Sequence, residues 1–176
     1  MKIIFLDIDG VLNCRPKNPK DKWPDFNPND ERAYGLNPEL AKNLKLILDK
    51  TGAKIVVSSS WRNFDDYIPW DMEGSWREKL AGMVGIKKDG LFVGDTPSLA
   101  TTKMVIDGKS EYVLRGLEIK KWIEDNAKED IKFCVLDDET VDIVSVIDRK
   151  FIVKTNRRDG LTRRDAEKAI SILNGE

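Results

Sequence analysis

Apolar residues in this chain fall into short runs that end abruptly on polar ones. Ile3-Ile4-Phe5-Leu6 stops at Asp7, Ile55-Val56-Val57 stops at Ser58, and Phe133-Cys134-Val135-Leu136 stops at Asp137. Runs of this length without alternation predict strands buried on both faces. Phe151-Ile152-Val153 predicts a last strand, and Leu91-Phe92-Val93 a short one between glycines. Between the runs the period changes to that of a helix. Asn37-Pro38-Glu39 reads as N-cap, first helical residue and first-turn acid; Leu40, Leu44, Ile47 and Leu48 follow at helical spacing, and Gly52 closes the helix. Glu78 to Val84 predicts a further helix. Arg115 to Asn126 predicts another, with Leu117, Ile119, Trp122 and Ile123 on its inner face. Thr162 caps a final helix through Ala166, Ala169, Ile170 and Leu173. Asn13 to Gly35 reads as a long polar loop, a feature often tied to function in compact domains.

Strands alternating with helices predict an α/β fold, a Rossmann-like parallel sheet with helices on both faces. The 176 residues are expected to form a single domain, 1–176. With 40% hydrophobic and 35% charged residues the chain reads as globular, and its net charge of -1 favours no broad nucleic-acid or membrane surface. No apolar run is long enough to span a bilayer, and the first acid comes too early for a signal peptide, so the expected compartment is the cytoplasm. Cys14 and Cys134 read as free thiols, the latter buried.

Histidine is absent, which removes Ser-His-Asp and Cys-His catalysis and histidine metal sites. Catalysis is left to carboxylates, hydroxyls, Lys or Arg, and oxygen-bound metals. The strand ends supply these groups. In an open α/β sheet ligands bind beyond the carboxyl ends of the strands. That rule gathers Asp7, Asp9, Asp137 and Asp138 near Ser58 and Ser59. Four carboxylates in one crevice require protonation or a cation, and oxygen donors alone favour Mg²⁺.

Asp7-Ile8-Asp9-Gly10-Val11 resembles the first motif of haloacid dehalogenase-like (HAD) phosphatases. Ser59, with Ser58 beside it, resembles the second motif; Arg115, or alternatively Lys103, the basic third; Asp137-Asp138 the acidic fourth. Arg115-Gly116-Leu117-Glu118-Ile119 and Thr155-x-x-x-x-Gly160-Leu161-Thr162 are similar to a small HAD subfamily of phage and bacterial proteins and of domains in RNA-repair proteins. The resemblance implies a Mg²⁺-dependent phosphatase. Asp7 would be the nucleophile, Asp9 the general acid and base and, through its carbonyl, a metal ligand. Ser59 or Ser58 would bind the phosphoryl group, Arg115 would neutralise its charge, and Asp138 with Asp137 would complete the metal shell.

Gly10 serves the turn after the first strand and, with Ser60, Trp61 and Arg62, is expected on the substrate side of the site. A Trp such as Trp61 is more often a packing residue; Trp23, Trp70 and Trp76 read either as a stacking platform or as cover for the core's edge. The basic run Arg15, Lys17, Lys20 and Lys22 reads as a solvated loop, and Arg157-Arg158 and Arg163-Arg164 as surface charge. The two slots for a cap, about 13–36 and 63–112, are too short for a large one. Little or no cap implies an open site and bulky substrates: a phosphorylated small molecule such as a nucleotide, or a nucleic-acid end. The alternative is a non-catalytic Mg²⁺- or nucleic-acid-binding module with the same fold. A receiver-type signalling domain fits less well, because receivers carry the accepting acid on a later strand.

Overall fold

The computed structural model describes residues 1–14, 35–64, 75–99, 104–106, 109–111, 114–126 and 130–176. Five parallel strands form the main sheet: β1 (Lys2–Leu6), β2 (Lys54–Val57), β3 (Phe92–Asp95), β6 (Lys132–Asp137) and β7 (Ile152–Lys154), in the order β3-β2-β1-β6-β7. A separate antiparallel pair, β4 (Met104–Ile106) and β5 (Lys109–Glu111), lies between β3 and β6 in the chain. The helices are α1 (Pro38–Thr51), α2 (Trp76–Val84), the single turn α3 (Lys88–Leu91), α4 (Arg115–Asn126) and α5 (Arg163–Asn174).

Alternation along the buried strands divides the core in two. Ile4, Leu6, Ile55, Val57, Cys134 and Leu136 face α1, α2 and α5. Ile3, Phe5, Val56 and Val135 face α4 and the turns at 140–147. Phe5 packs edge-on against Trp122 and Phe133, with ring centroids 5.4 and 5.7 Å away. Both ends of α1 follow the expected chemistry. Asn37 accepts from the Glu39 amide at the N-cap, and Gly52 closes the C-terminus in a left-handed conformation. Thr162 and Asp165 form a capping box on α5.

Three expectations shift. Leu91 ends α3, and the strand begins at Phe92. Phe151 belongs to a 3-10 turn, Arg149–Phe151, capped by Asp148, so the last strand starts at Ile152. Leu117 is 42% exposed and does not face inward. Gly116 and Glu118 are buried instead. A Cβ on Gly116 would lie 2.9 Å from Val146 Cβ and 3.1 Å from two backbone carbonyls, so α4 sits almost in contact with the 140–147 turns. Leu117 stands about 200° round the helix from buried Ile119 and so faces outward.

No large cap is present among the described residues; α2, α3 and β3 build the layers of the main sheet. Residues 15–34, which hold the basic run and Trp23, lie outside the described residues, as do Trp70 and Lys103. Among the described residues no helix is long and apolar enough to cross a membrane.

Candidate functional site

The strand order reverses direction at β1: β2 and β3 extend the sheet to one side, β6 and β7 to the other. Such a reversal leaves a crevice at the carboxyl ends of the two strands that flank it. β1 and β6 pair in register through Leu6 and Leu136, so Asp7 and Asp137 leave the sheet side by side, and the Asp7 amide still donates to the Leu136 carbonyl at 3.0 Å. Oxygens of Asp7, Asp137 and Asp138 all lie within 4.8 Å of one another. Asp7 and Asp137 are buried and Asp138 is partly so.

Arg115, the first residue of α4, reaches into this cluster. One nitrogen, Nη1, lies 3.1 Å from Asp7 Oδ2 and 2.7 Å from Asp137 Oδ2. The Arg115 backbone amide donates to Asp142 Oδ2 at 2.8 Å, which anchors the helix start. Burial would lower the guanidinium pKa, but the charges of Asp7 and Asp137 outweigh it and raise it. Asp137 spends both oxygens inside the protein, since its Oδ1 accepts from the Glu139 amide at 2.8 Å. Asp138 has only the Arg157 Nε, 4.0 Å away, as an ion-pair neighbour among the described residues.

Asp9 stands two residues on, in the loop that follows β1. Its Oδ1 accepts from the Asn13 amide group and its Oδ2 from the Trp61 indole N–H, each at 3.0 Å. Burial and the charge of Asp7 push its pKa from the ordinary aspartate range up to about 6, against the pull of the Trp61 hydrogen bond and Arg157. Gly10 turns the loop at φ 74°, and its carbonyl accepts from the buried Thr155 hydroxyl at 2.9 Å.

Across β1, the Ser58 amide donates to the Leu6 carbonyl and extends the β1–β2 ladder, setting Ser58 opposite Asp7. Its hydroxyl is buried and has no hydrogen-bond partner among the described residues. Ser59 is also buried; its Oγ accepts from the Trp61 amide at 3.4 Å. Ser60 is exposed and begins a 3-10 turn. Trp61 packs edge-on against Trp76, ring centroids 5.7 Å apart. The Arg62 guanidinium is taken up by buried Glu118 on α4, at 2.9 Å, and by the Thr96 hydroxyl, at 2.9 Å.

The structure therefore brings together Asp7, Asp9, Gly10, Arg115, Asp137 and Asp138, with Ser58 and Ser59 at their side. Trp61 is joined to this group through its N–H, whereas Arg62 is occupied on the far side of the turn. Sequence reasoning missed Asn13, Thr155 and Arg157. Asn13 is a local signal, four residues after Asp9 in the same loop, whereas Thr155 and Arg157 lie in the Thr155–Thr162 motif and their contacts to Gly10 and Asp138 cross the fold.

The donor set fits a hard divalent cation: three carboxylates, with no nitrogen or sulfur ligand. Without one, the cluster should destabilise the fold at neutral pH. Asp9, Asp137 and Asp138 all have raised pKa values, with burial first among the causes and the charge of Asp7 next. A carboxyl whose pKa is higher folded than unfolded binds more protons in the native state, so stability falls as pH rises between the two values. For Asp9 that window runs from the usual aspartate pKa, about 4, to about 6. Urea midpoints measured in EDTA should drop from mildly acidic to neutral pH, and Mg²⁺ should recover the loss at neutral pH. A midpoint that rises with pH over that window would contradict this assignment.

No curated protein and no solved structure matches the chain. A family model described as the HAD domain in Swiss Army Knife RNA repair proteins matches residues 3–166. The match runs from β1 into α5 and takes in the whole carboxylate cluster, Arg115 and both serines, and on it the chain belongs to this family of HAD domains.

Proposed function

We propose that the chain is a Mg²⁺-dependent phosphatase that hydrolyses phosphomonoesters through an aspartyl-phosphate on Asp7, and that its substrates are nucleotides or polynucleotide ends. The observation that carries this reading is the single Arg115 nitrogen held between the Asp7 and Asp137 carboxylates. It orients Asp7 and sets a fixed positive charge where a phosphoryl group would approach it.

An Asp7 oxygen attacks phosphorus in line as the bond from phosphorus to the leaving oxygen breaks. Asp9 gives that oxygen its proton; a carboxyl with a pKa near 6 can do so close to neutral pH. Asp9 then takes a proton from water as the water oxygen attacks phosphorus. The bond from phosphorus to Asp7 breaks, inorganic phosphate leaves, and both acids return to their starting states. Asn13 and Trp61 hold one Asp9 oxygen each, so the carboxyl keeps its orientation through both transfers. Ser58 and Ser59 offer hydroxyl donors to the phosphoryl oxygens; the Ser58 hydroxyl is free of any partner within the described residues.

Asp7, Asp138 and the Asp9 carbonyl would hold the cation, since Arg115 and the Glu139 amide already occupy Asp137. When bound, the cation offsets the repulsion among these carboxylates and the charge of the phosphate. The lack of a large cap among the described residues suits bulky esters. The family's description as RNA repair proteins favours a nucleic-acid end among them.

The test is phosphate release with Mg²⁺ or EDTA from p-nitrophenyl phosphate, sugar phosphates, nucleotides and oligonucleotides phosphorylated at either end. Release should require Mg²⁺ and fall at least about a thousandfold in Asp7→Asn. Undiminished activity in Asp7→Asn refutes the mechanism. Hydrolysis of sugar phosphates with oligonucleotides left intact refutes the substrate class. Oligonucleotide binding that persists in EDTA without phosphate release would identify a binding module instead.

A further inference from the structure

Nothing in this chemistry uses the segment from Thr155 to Thr162, yet it is fixed to the loop after β1 at several points. The Thr155 hydroxyl donates to the Gly10 carbonyl at 2.9 Å and its amide to the Asp137 carbonyl at 3.0 Å. The Leu161 amide donates to the Val11 carbonyl at 2.8 Å. Gly160 packs so close that a Cβ there would lie 2.8 Å from the Val11 carbonyl oxygen. The backbone of this segment therefore keeps a set position relative to the loop after β1.

Two cations, Lys154 at the end of β7 and Arg157 in the turn, line an open groove of about 570 Å³. Asp138, Asn156 and Thr162 line it too, so the groove adjoins the carboxylate cluster at Asp138. Its other acid, Asp165, is turned to the helix start, where it accepts from the Thr162 amide and hydroxyl. Arg157 is 81% exposed and only 4.0 Å from Asp138, an ion pair too long and too wet to hold it. Lys154 has no ion-pair partner among the described residues.

We infer that Lys154 and Arg157 form a subsite for a second phosphate on the substrate, next to the one hydrolysed at Asp7. The inference rests on the phosphatase reading above and narrows its substrates to molecules with two or more phosphates: nucleoside bisphosphates or end-phosphorylated strands. A guanidinium and an ammonium lining one groove match phosphate oxygens, and Asn156 and Thr162 add neutral polar groups.

The experiment compares kcat/KM for a nucleoside 3′,5′-bisphosphate and for an end-phosphorylated oligonucleotide, each relative to the nucleoside monophosphate. Wild type, Arg157→Gln and the double variant Lys154→Gln/Arg157→Gln are measured. Wild type should prefer the substrates with two phosphates, and the ratio should fall roughly tenfold for each cation removed, as for a lost charge-assisted contact. A ratio that falls for both substrates marks a general second-phosphate site; a fall for the oligonucleotide alone marks a strand phosphodiester. Both outcomes uphold the subsite. An unchanged ratio, or no preference in wild type, overturns it.

Equilibrium binding to Asp7→Asn protein separates this result from a failure of the phosphatase reading. Tighter binding of bisphosphate than monophosphate, lost on adding Arg157→Gln, upholds the subsite even without turnover. Equal binding of the two sinks it even in an active enzyme.

Discussion

Arg115→Ala should lower kcat by about a hundred- to a thousandfold, the loss typical of removing one preorganised donor from a developing negative charge. The guanidinium is 29% exposed, but the Asp137 carboxylate it pairs with is fully buried and that of Asp7 nearly so. Deleting one partner of a buried pair typically costs about 3–5 kcal/mol, and the partial exposure of Arg115 puts this case toward the lower end. The loss should depend on pH. Without Arg115, Asp137 stays buried beside Asp7 with no counter-charge, and its pKa, already raised by burial and by Asp7, rises further. The folded state of Arg115→Ala then gains proton affinity, and its stability should fall more steeply than wild type as pH rises toward neutral. Arg115→Lys makes the sharper test. Arginine is often irreplaceable because it binds through two nitrogens at once. Here a single nitrogen contacts both carboxylates, so one ammonium can meet the same demand. Arg115→Lys should keep kcat within roughly tenfold of wild type, against the loss in Arg115→Ala. Equal damage in both variants would mean that guanidinium shape, not charge, is what the site requires.

The layers of the fold could be read because each buried strand is an unbroken apolar run that ends on a polar residue, and because Asn37-Pro38, Gly52 and Thr162 mark helix ends by local chemistry. The carboxylate cluster could be read for the same reason: in parallel strands the residue after the last apolar one reaches the shared edge, which brings Asp7, Ser58 and Asp137 together. Contacts decided by distant parts of the chain could not. Apolar character alone suggests Leu117 for the inner face of α4, yet it stands about 200° round the helix from Ile119, and Glu118 takes the inner position, where Arg62 from the turn after β2 pairs with it. An indole predicts packing or stacking; only the approach of the β2 turn to the loop after β1 sets the Trp61 N–H on Asp9. Arg157 is surface charge, as the sequence suggests, 81% exposed; that its Nε lies 4.0 Å from Asp138 follows from the anchored turn and has no sequence signal.

Gly10→Ala should raise the Mg²⁺ concentration needed for half-maximal activity by at least roughly tenfold, the equivalent of about 1.4 kcal/mol in cation affinity. Two effects act at this position. At φ 74° a residue with a Cβ carries a left-handed penalty of about 1–2 kcal/mol. Independently, that Cβ would lie 2.4 Å from Asp138 Cγ and 2.8 Å from its Cβ. The second contact matters most, because Asp138 Cβ is tied to the backbone and cannot swing away as the tip of a long side chain would. Relief requires Asp138, or the loop after β1, to shift, and either movement opens the carboxylate cluster. Gly52→Ala separates the two effects. Gly52 has a similar φ of 65°, but nothing lies within 4 Å of a Cβ built there. It should cost about 1–2 kcal/mol in urea denaturation and leave the Mg²⁺ dependence unchanged. If Gly10→Ala matches Gly52→Ala in both measurements, Asp138 takes no part in holding the cation, and the fourth motif would act through Asp137 and its pairing with Arg115.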